Sequence, residues 1–158
     1  MIALMAVKTG HAIHPRVLDG IARQSTPLHL VVSPCAPVHN ERTRECSINR
    51  SRNELQRIAS GIELGGMVLL IDSDVCLVDD DTVALMAEYM TNDVGCVAVQ
   101  TKPDLDNHVV TACALIRSSV YLDLDFSSTP SICQCNIIAT KCKSVYLPDC
   151  NAFEIPKL

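Results

Sequence analysis

Apolar positions along the chain switch repeatedly between strand-like runs and helix-like spacing. Residues 2–7 form a continuous apolar run of strand length that ends at Lys8. Across residues 14–24 the spacing becomes helical, with Val17, Leu18 and Ile21 on one face and Pro15 in the first turn. Residues 28–32 read as a second strand, stopped by Ser33-Pro34. A long amphipathic helix is predicted over residues 41–64, with Ile48, Leu55, Ile58 and Ile62 on one face, closed by Gly65-Gly66. Residues 67–71 follow as an unbroken apolar run, the pattern of a strand buried on both faces. Residues 80–91 are predicted helical, because acids favour a first turn and Val83, Met86, Ala87 and Met90 recur at helical spacing. Strands are predicted at residues 95–100 and 109–117, and a short late one at 144–147 before Pro148.

This alternation of strands and helices predicts an α/β fold, a three-layer α/β/α sandwich on a mostly parallel mixed sheet. The link between the strands at 95–100 and 109–117 is too short for a helical crossover, so part of the sheet is expected to be antiparallel. At 158 residues the chain is most simply one domain, large enough to bury a real core. It carries no internal repeat, low-complexity tract or linker.

Composition narrows the function classes. A chain 48% hydrophobic and 20% charged is globular and not disordered. A net charge of −5 argues against a general binder of phosphate backbones, which needs a basic face. No apolar run approaches a membrane span. The apolar start has no charged segment before it and reads as a first strand, not a signal peptide, so the cytoplasm is the expected location. Nine cysteines, an odd number without an export signal, argue against a disulfide framework. Cys76, Cys96 and Cys113 lie among apolar neighbours, where a thiol acts as a small hydrophobe. Cys133, Cys135, Cys142 and Cys150 cluster, but C-x-C-x6-C-x7-C lacks the paired knuckles of common zinc sites, so ordinary thiols are expected.

The chemistry concentrates at Asp72 and Asp74, directly after the apolar run at 67–71. The carboxyl end of a strand is where open α/β sheets bind ligands. Two carboxylates fanned out there hold a hard divalent cation through oxygen and leave its other positions to diphosphate oxygens and water. The bland reading is that they only end a strand and start a turn. Asp79/Asp81, Asp104/Asp106 and Asp123/Asp125 have the same spacing, but the first pair reads as a helix start and the other two sit in polar or mixed segments with no comparable apolar run before them.

The order of these features resembles the nucleotide-sugar-dependent glycosyltransferases of the GT-A fold, particularly the family 2 group. The segment from His14-Pro15-Arg16-Val17-Leu18 to Ile21 and Gln24 is similar to that group's first helix. Ser51-Arg52-Asn53 resembles its "R-N" helix, which runs into Gly65-Gly66-Met67-Val68-Leu69-Leu70-Ile71-Asp72-Ser73-Asp74. The resemblance covers residues 1–120 and is most specific over 50–82. It implies that Asp72 lies near the ribose and the metal, and that Asp74 ligates Mn2+ or Mg2+ on the diphosphate of a UDP- or GDP-sugar. Lys8, Arg52 and Asp72 are then the donor-binding candidates, with Arg50 and Arg44 as weaker cationic alternatives to Arg52. A carboxylate-held metal and a cation both stabilise a leaving diphosphate.

The chain departs from that pattern in three places. Residues 31–37 carry no carboxylate where the family holds the base. No acid lies between Asp125 and Asp149, where the family's general base is expected; Asp104, Asp106, His108, Asp123 and Asp125 are the substitutes, and the absence of that base favours retention of configuration, which does not require it, or inactivity. The last histidine is His108, so a C-terminal histidine ligand is missing. The expected layout is one minimal domain, with residues 1–100 as the nucleotide-sugar half and 101–158 as the acceptor side. A partner subunit, as in a homo-oligomer, is another source of acceptor contacts. The acceptor itself is open between glycan, lipid, protein and modified nucleobase. Competing readings are a catalytically silent GT-A-like module that binds a nucleotide or a partner, and a nucleotidyltransferase-like enzyme, for which Lys8-Thr9-Gly10-His11 is a poor match to the required Gly-rich loop. A nuclease or phosphatase would want more acids or histidines around the metal.

Overall fold

A computed structural model describes residues 1–8, 12–35, 47–99, 112–126, 134–147 and 152–155. Its strands are β1 (Ile2–Lys8), β2 (His29–Cys35), β3 (Met67–Asp72), β4 (Val75–Leu77), β5 (Val94–Val99), β6 (Cys113–Arg117), β7 (Lys143–Leu147) and β8 (Ala152–Glu154). The helices are α1 (Pro15–Ala22), α2 (Ser47–Ala59), α3 (Thr82–Glu88), α4 (Ser118–Leu122) and α5 (Gln134–Lys141). Six strands form the main sheet in the order β2-β1-β3-β6-β5-β7, and β4 pairs with β8 in a separate ribbon. Within the main sheet β6 runs antiparallel to both β3 and β5, while the other pairings are parallel. The fold is the expected α/β sandwich on a mostly parallel mixed sheet.

Two cores flank the sheet, because alternate residues of a strand face opposite sides. Leu69 and Ile71 face Val17 and Ile21 of α1 and Val83 and Met86 of α3. Val68 and Leu70 face Leu55 and Ala59 of α2, Tyr121 of α4 and Ile138 of α5. Strand β6, from the expected acceptor side, lies between β3 and β5, so the two halves of the chain share one sheet.

Several boundaries differ from the sequence reading. Strand β2 continues through Pro34 to Cys35 instead of stopping at Ser33. It is the sheet's edge, where a residue without an N–H is tolerated. Helix α2 is described only from Ser47 and ends at Ala59, short of residue 64; residues 41–46 lie outside the described part. Helix α3 stops at Glu88 because the Arg117 guanidinium takes the carbonyls beyond it, with Nη2 donating to Met90 O at 3.2 Å and Thr91 O at 2.7 Å, and Nε to Val94 O at 2.9 Å. The sequence reading missed β4, β8, α4 and α5. Among the described residues no helix is long and apolar enough to cross a membrane.

Candidate functional site

Asp72 ends β3, third of the six strands, at the carboxyl edge of the parallel set. Its backbone N–H donates to Ala112 O at 2.8 Å, which fastens this corner to the residue before β6. Asp72 is in register with Ala6 of β1, and Ala6 with Ser33 of β2. All three therefore face the α2 side of the sheet. From that side Arg52 Nη2 donates to Asp72 Oδ1 at 2.8 Å. The Arg52 side chain is wholly buried, whereas Asp72 remains 40% exposed. One end of this ion pair belongs to the core and the other to the surface.

Asp74 lies two residues on, half-buried in the turn between β3 and β4. Its carbonyl accepts from the Ile155 N–H at 2.7 Å, and β4 pairs with β8 from Val75↔Glu154 to Leu77↔Ala152. The end of the chain thus braces the aspartate turn, a contact with no signal in the local sequence. The Cys113 thiol stands near the same corner. Burial pushes it up to about 12, and the Asp72 carboxylate adds to that shift.

Two half-exposed carboxylates at one strand end form a hard oxygen donor set, which fits Mg2+ or Mn2+ that keeps waters and phosphate oxygens as its other ligands. Among the described residues no group of three His, Cys, Asp or Glu side chains converges on such an ion. Ser33 lies on β2 in a stretch without acids; its hydroxyl is wholly buried and has no hydrogen-bond partner among the described residues.

The other candidates are scattered. Asp123 follows α4, and its carboxylate takes a hydrogen bond from Lys141 Nζ at 2.9 Å. Lys141 ends α5 just before the amino end of β7, so Asp123 stands at the sheet edge opposite Asp72. Asp125 is exposed between the buried Leu124 and Phe126. The backbone of Lys8 ends β1 at the Asp72 edge, in register with Cys35; its side chain lies outside the described part, as does that of Arg50. Arg44, Asp104, Asp106, His108, Cys133 and Cys150 lie outside it altogether, and of Cys135 only the backbone is inside. An open cavity of about 510 Å3 lies at the amino ends of β1 and β3, lined by Met1, Thr26, His29, Glu63 and Gly65 among others. That is the far edge from the aspartates, and open α/β sheets place their ligands at the carboxyl edge.

The whole arrangement matches solved structures. A mannosyltransferase from Pyrobaculum calidifontis, solved with GDP-Man and Mn2+, superposes with a TM-score of 0.68 at 17% identity, over 99% of this chain and 57% of that one. A glycosyltransferase involved in glycosylation of the PBCV-1 major capsid gives 0.63 at 8% identity, over 98% and 92%. The chain has the GT-A fold. A cytidylyltransferase from Leptospira borgpetersenii also matches, at a TM-score of 0.59 and 11% identity over 94% and 75%. No protein-family model matches the sequence, and no curated protein does. At these identities the likeness fixes the GT-A fold; the chemistry rests on the residues at its edge.

Proposed function

We propose that the protein is a metal-dependent glycosyltransferase, moving a sugar from a nucleotide-diphosphate donor such as a GDP- or UDP-sugar. The observation that carries this reading is the Asp72–Asp74 pair at the carboxyl end of β3, with Asp72 fixed by Arg52. Asp72 and Asp74 would hold Mn2+ or Mg2+, which acts as a Lewis acid on the departing diphosphate. Arg52 holds the Asp72 carboxylate in one orientation and adds a buried positive charge behind it, so the corner is preorganised. The Asp74 backbone is braced by the Ile155 N–H, which supports an ordered turn carrying the second carboxylate. Residues 101–158 remain the proposed acceptor side, although β6 is built into the sheet. With Asp123 tied to Lys141 at the far edge, this reading puts less weight on Asp123 as the base than on Asp104, Asp106, His108 or Asp125. The absence of the family's general base favours retention of configuration if transfer occurs, and otherwise the silent binding module.

A thermal-shift panel of GDP-, UDP-, CMP- and dTDP-sugars, with and without Mn2+, tests the reading. A ligand bound only by the native state raises Tm by mass action, by the equivalent of about 2.7 kcal/mol at a hundredfold excess over Kd. The expected result is a rise with one nucleotide sugar that needs the metal. Equal rises with CTP and Mn2+ but none with any sugar nucleotide would favour the nucleotidyltransferase alternative.

A further inference from the structure

Gln56 stands one helical turn beyond Arg52 on α2, and its amide reaches across to the end of α4. Nε2 donates to Tyr121 O at 2.8 Å and to Leu124 O at 2.6 Å, with Leu122 O at 3.4 Å. A primary amide has two N–H donors, so the two short bonds use both. The acceptors lie at and just beyond the end of α4; Tyr121 O also accepts from the Leu124 N–H at 3.2 Å, since a carbonyl has two lone pairs. Several carbonyl dipoles converging on one point favour a neutral or cationic donor and repel a carboxylate.

The same face of α2 places Leu55 and Ala59 in one core with Tyr121, Leu124 and Phe126. The Tyr121 side chain is wholly buried in that core. Burial pushes its phenol above the usual range, with the Arg52 charge acting in the opposite direction; Arg52, three residues before Leu55 on α2, is wholly buried as well. Gln56 therefore ties α2 to the end of α4 one turn from Arg52, and Arg52 in turn binds Asp72.

We propose that Gln56 is a positioning residue: by clamping the end of α4 it keeps Tyr121 packed under α2 and holds Arg52 in the rotamer that grips Asp72. This rests on the donor-site reading of Asp72 for its functional consequence, but the effect on Arg52 is measurable without any donor. The clamp requires a donor, not a glutamine as such. Lysine supplies N–H groups to the same carbonyls, methionine supplies none, and glutamate presents the wrong charge.

The test uses the full chain, 15N-labelled, as the parent and as Gln56→Lys, Gln56→Met and Gln56→Glu. The Arg52 Nε–H signal is assigned by its loss in Arg52→Lys, and its exchange with solvent is measured. Ile137→Ala, on α5 in the same core, controls for lowered stability. Gln56→Met is expected to speed Arg52 exchange and weaken Mn2+-dependent binding of GDP-mannose or UDP-glucose, each roughly tenfold, the size of one lost hydrogen bond. Gln56→Lys is expected to restore both. If Gln56→Met is unfolded, a folded Gln56→Lys with slow Arg52 exchange, beside a failed Gln56→Glu, supports the clamp. Arg52 exchange in Gln56→Met equal to that of the parent or of Ile137→Ala would overturn it, and so would failure of Gln56→Lys to fold or to protect Arg52. If the parent binds no nucleotide sugar, the donor-site reading fails while Arg52 exchange still decides the role of Gln56.

Discussion

Arg52 Nη2 lies 2.8 Å from Asp72 Oδ1, with the guanidinium side chain wholly buried and the carboxylate two-fifths exposed at 40%. The pair joins the core under α2 to the edge where ligands approach. Its two members therefore differ in what their loss would cost. Truncating Asp72 leaves a buried cation without this partner, whereas replacing Arg52 by a long apolar side chain fills the same space without charge.

From this we expect Asp72→Ala to destabilise the protein by about 1–3 kcal/mol, below the range for fully buried pairs because water reaches the carboxylate. Arg52→Met should cost less than about 1 kcal/mol, yet still weaken donor binding. Urea unfolding of both variants checks the order. A larger loss in Arg52→Met than in Asp72→Ala would show that the guanidinium's contribution to stability does not come mainly through Asp72.

A second prediction concerns the packing of α1. A Cβ added at Gly20 would lie 2.8 Å from Leu77 O and 3.2 Å from Leu77 N, backbone atoms that have little room to move. Gly20→Ala should therefore push α1 away from β4 and cost about 1–3 kcal/mol, despite alanine's better helix propensity. A thermal melt decides, and a rise in Tm would mean that α1 and β4 are not in this close contact.

The third expectation is a marked loss of stability in alkali. Burial pushes Cys96 and Cys113 up to about 12 from a value of 9.0, and raises Tyr121 as well. A group whose folded pKa is raised contributes stability that is complete below its unfolded pKa and disappears as pH climbs towards the folded one. Each thiol should thus add a slope of about 1.4 kcal/mol per pH unit between roughly pH 9 and pH 12. Urea midpoints measured from pH 8 to pH 11 should fall, and less steeply in Cys113→Ala. A flat profile would show that these thiols are already exposed in the native state.

Much of this architecture is legible in the residues themselves. Runs such as Val68–Ile71 are apolar on every residue because both faces of the sheet are covered, so strand and burial can be read together. The antiparallel β6 is expected from a short link between strands read at 95–100 and 109–117; β6 in fact begins at Cys113, so the pairing agrees but the link is longer than that reading has it. By contrast β4 and β8 are three residues each, and Val75 pairs with Glu154 across half of the chain, so neither leaves a local pattern. Pro34 looked like a strand end only because its edge position was not visible in the sequence. At the site, the aspartate pair stands out by its position after an apolar run. The sequence already ranks Arg52 above Arg50 and Arg44, but its burial and its bond to Asp72 show only in the fold. Gln56 was missed because its partners are backbone carbonyls, which have no side-chain signature.

The account turns on Asp74, a half-buried carboxylate in a turn with little part in core packing. Calorimetric titration of the parent and Asp74→Ala with the nucleotide sugar chosen by the thermal-shift panel, with and without Mn2+, tests it most directly. The expected outcome is Mn2+-dependent binding in the parent, its loss in Asp74→Ala, and a Tm within a few degrees of the parent's, as for a change of about 0.5 kcal/mol. Equal Mn2+-dependent affinity in both proteins would contradict the proposed metal site and leave the GT-A fold without the chemistry assigned to it here.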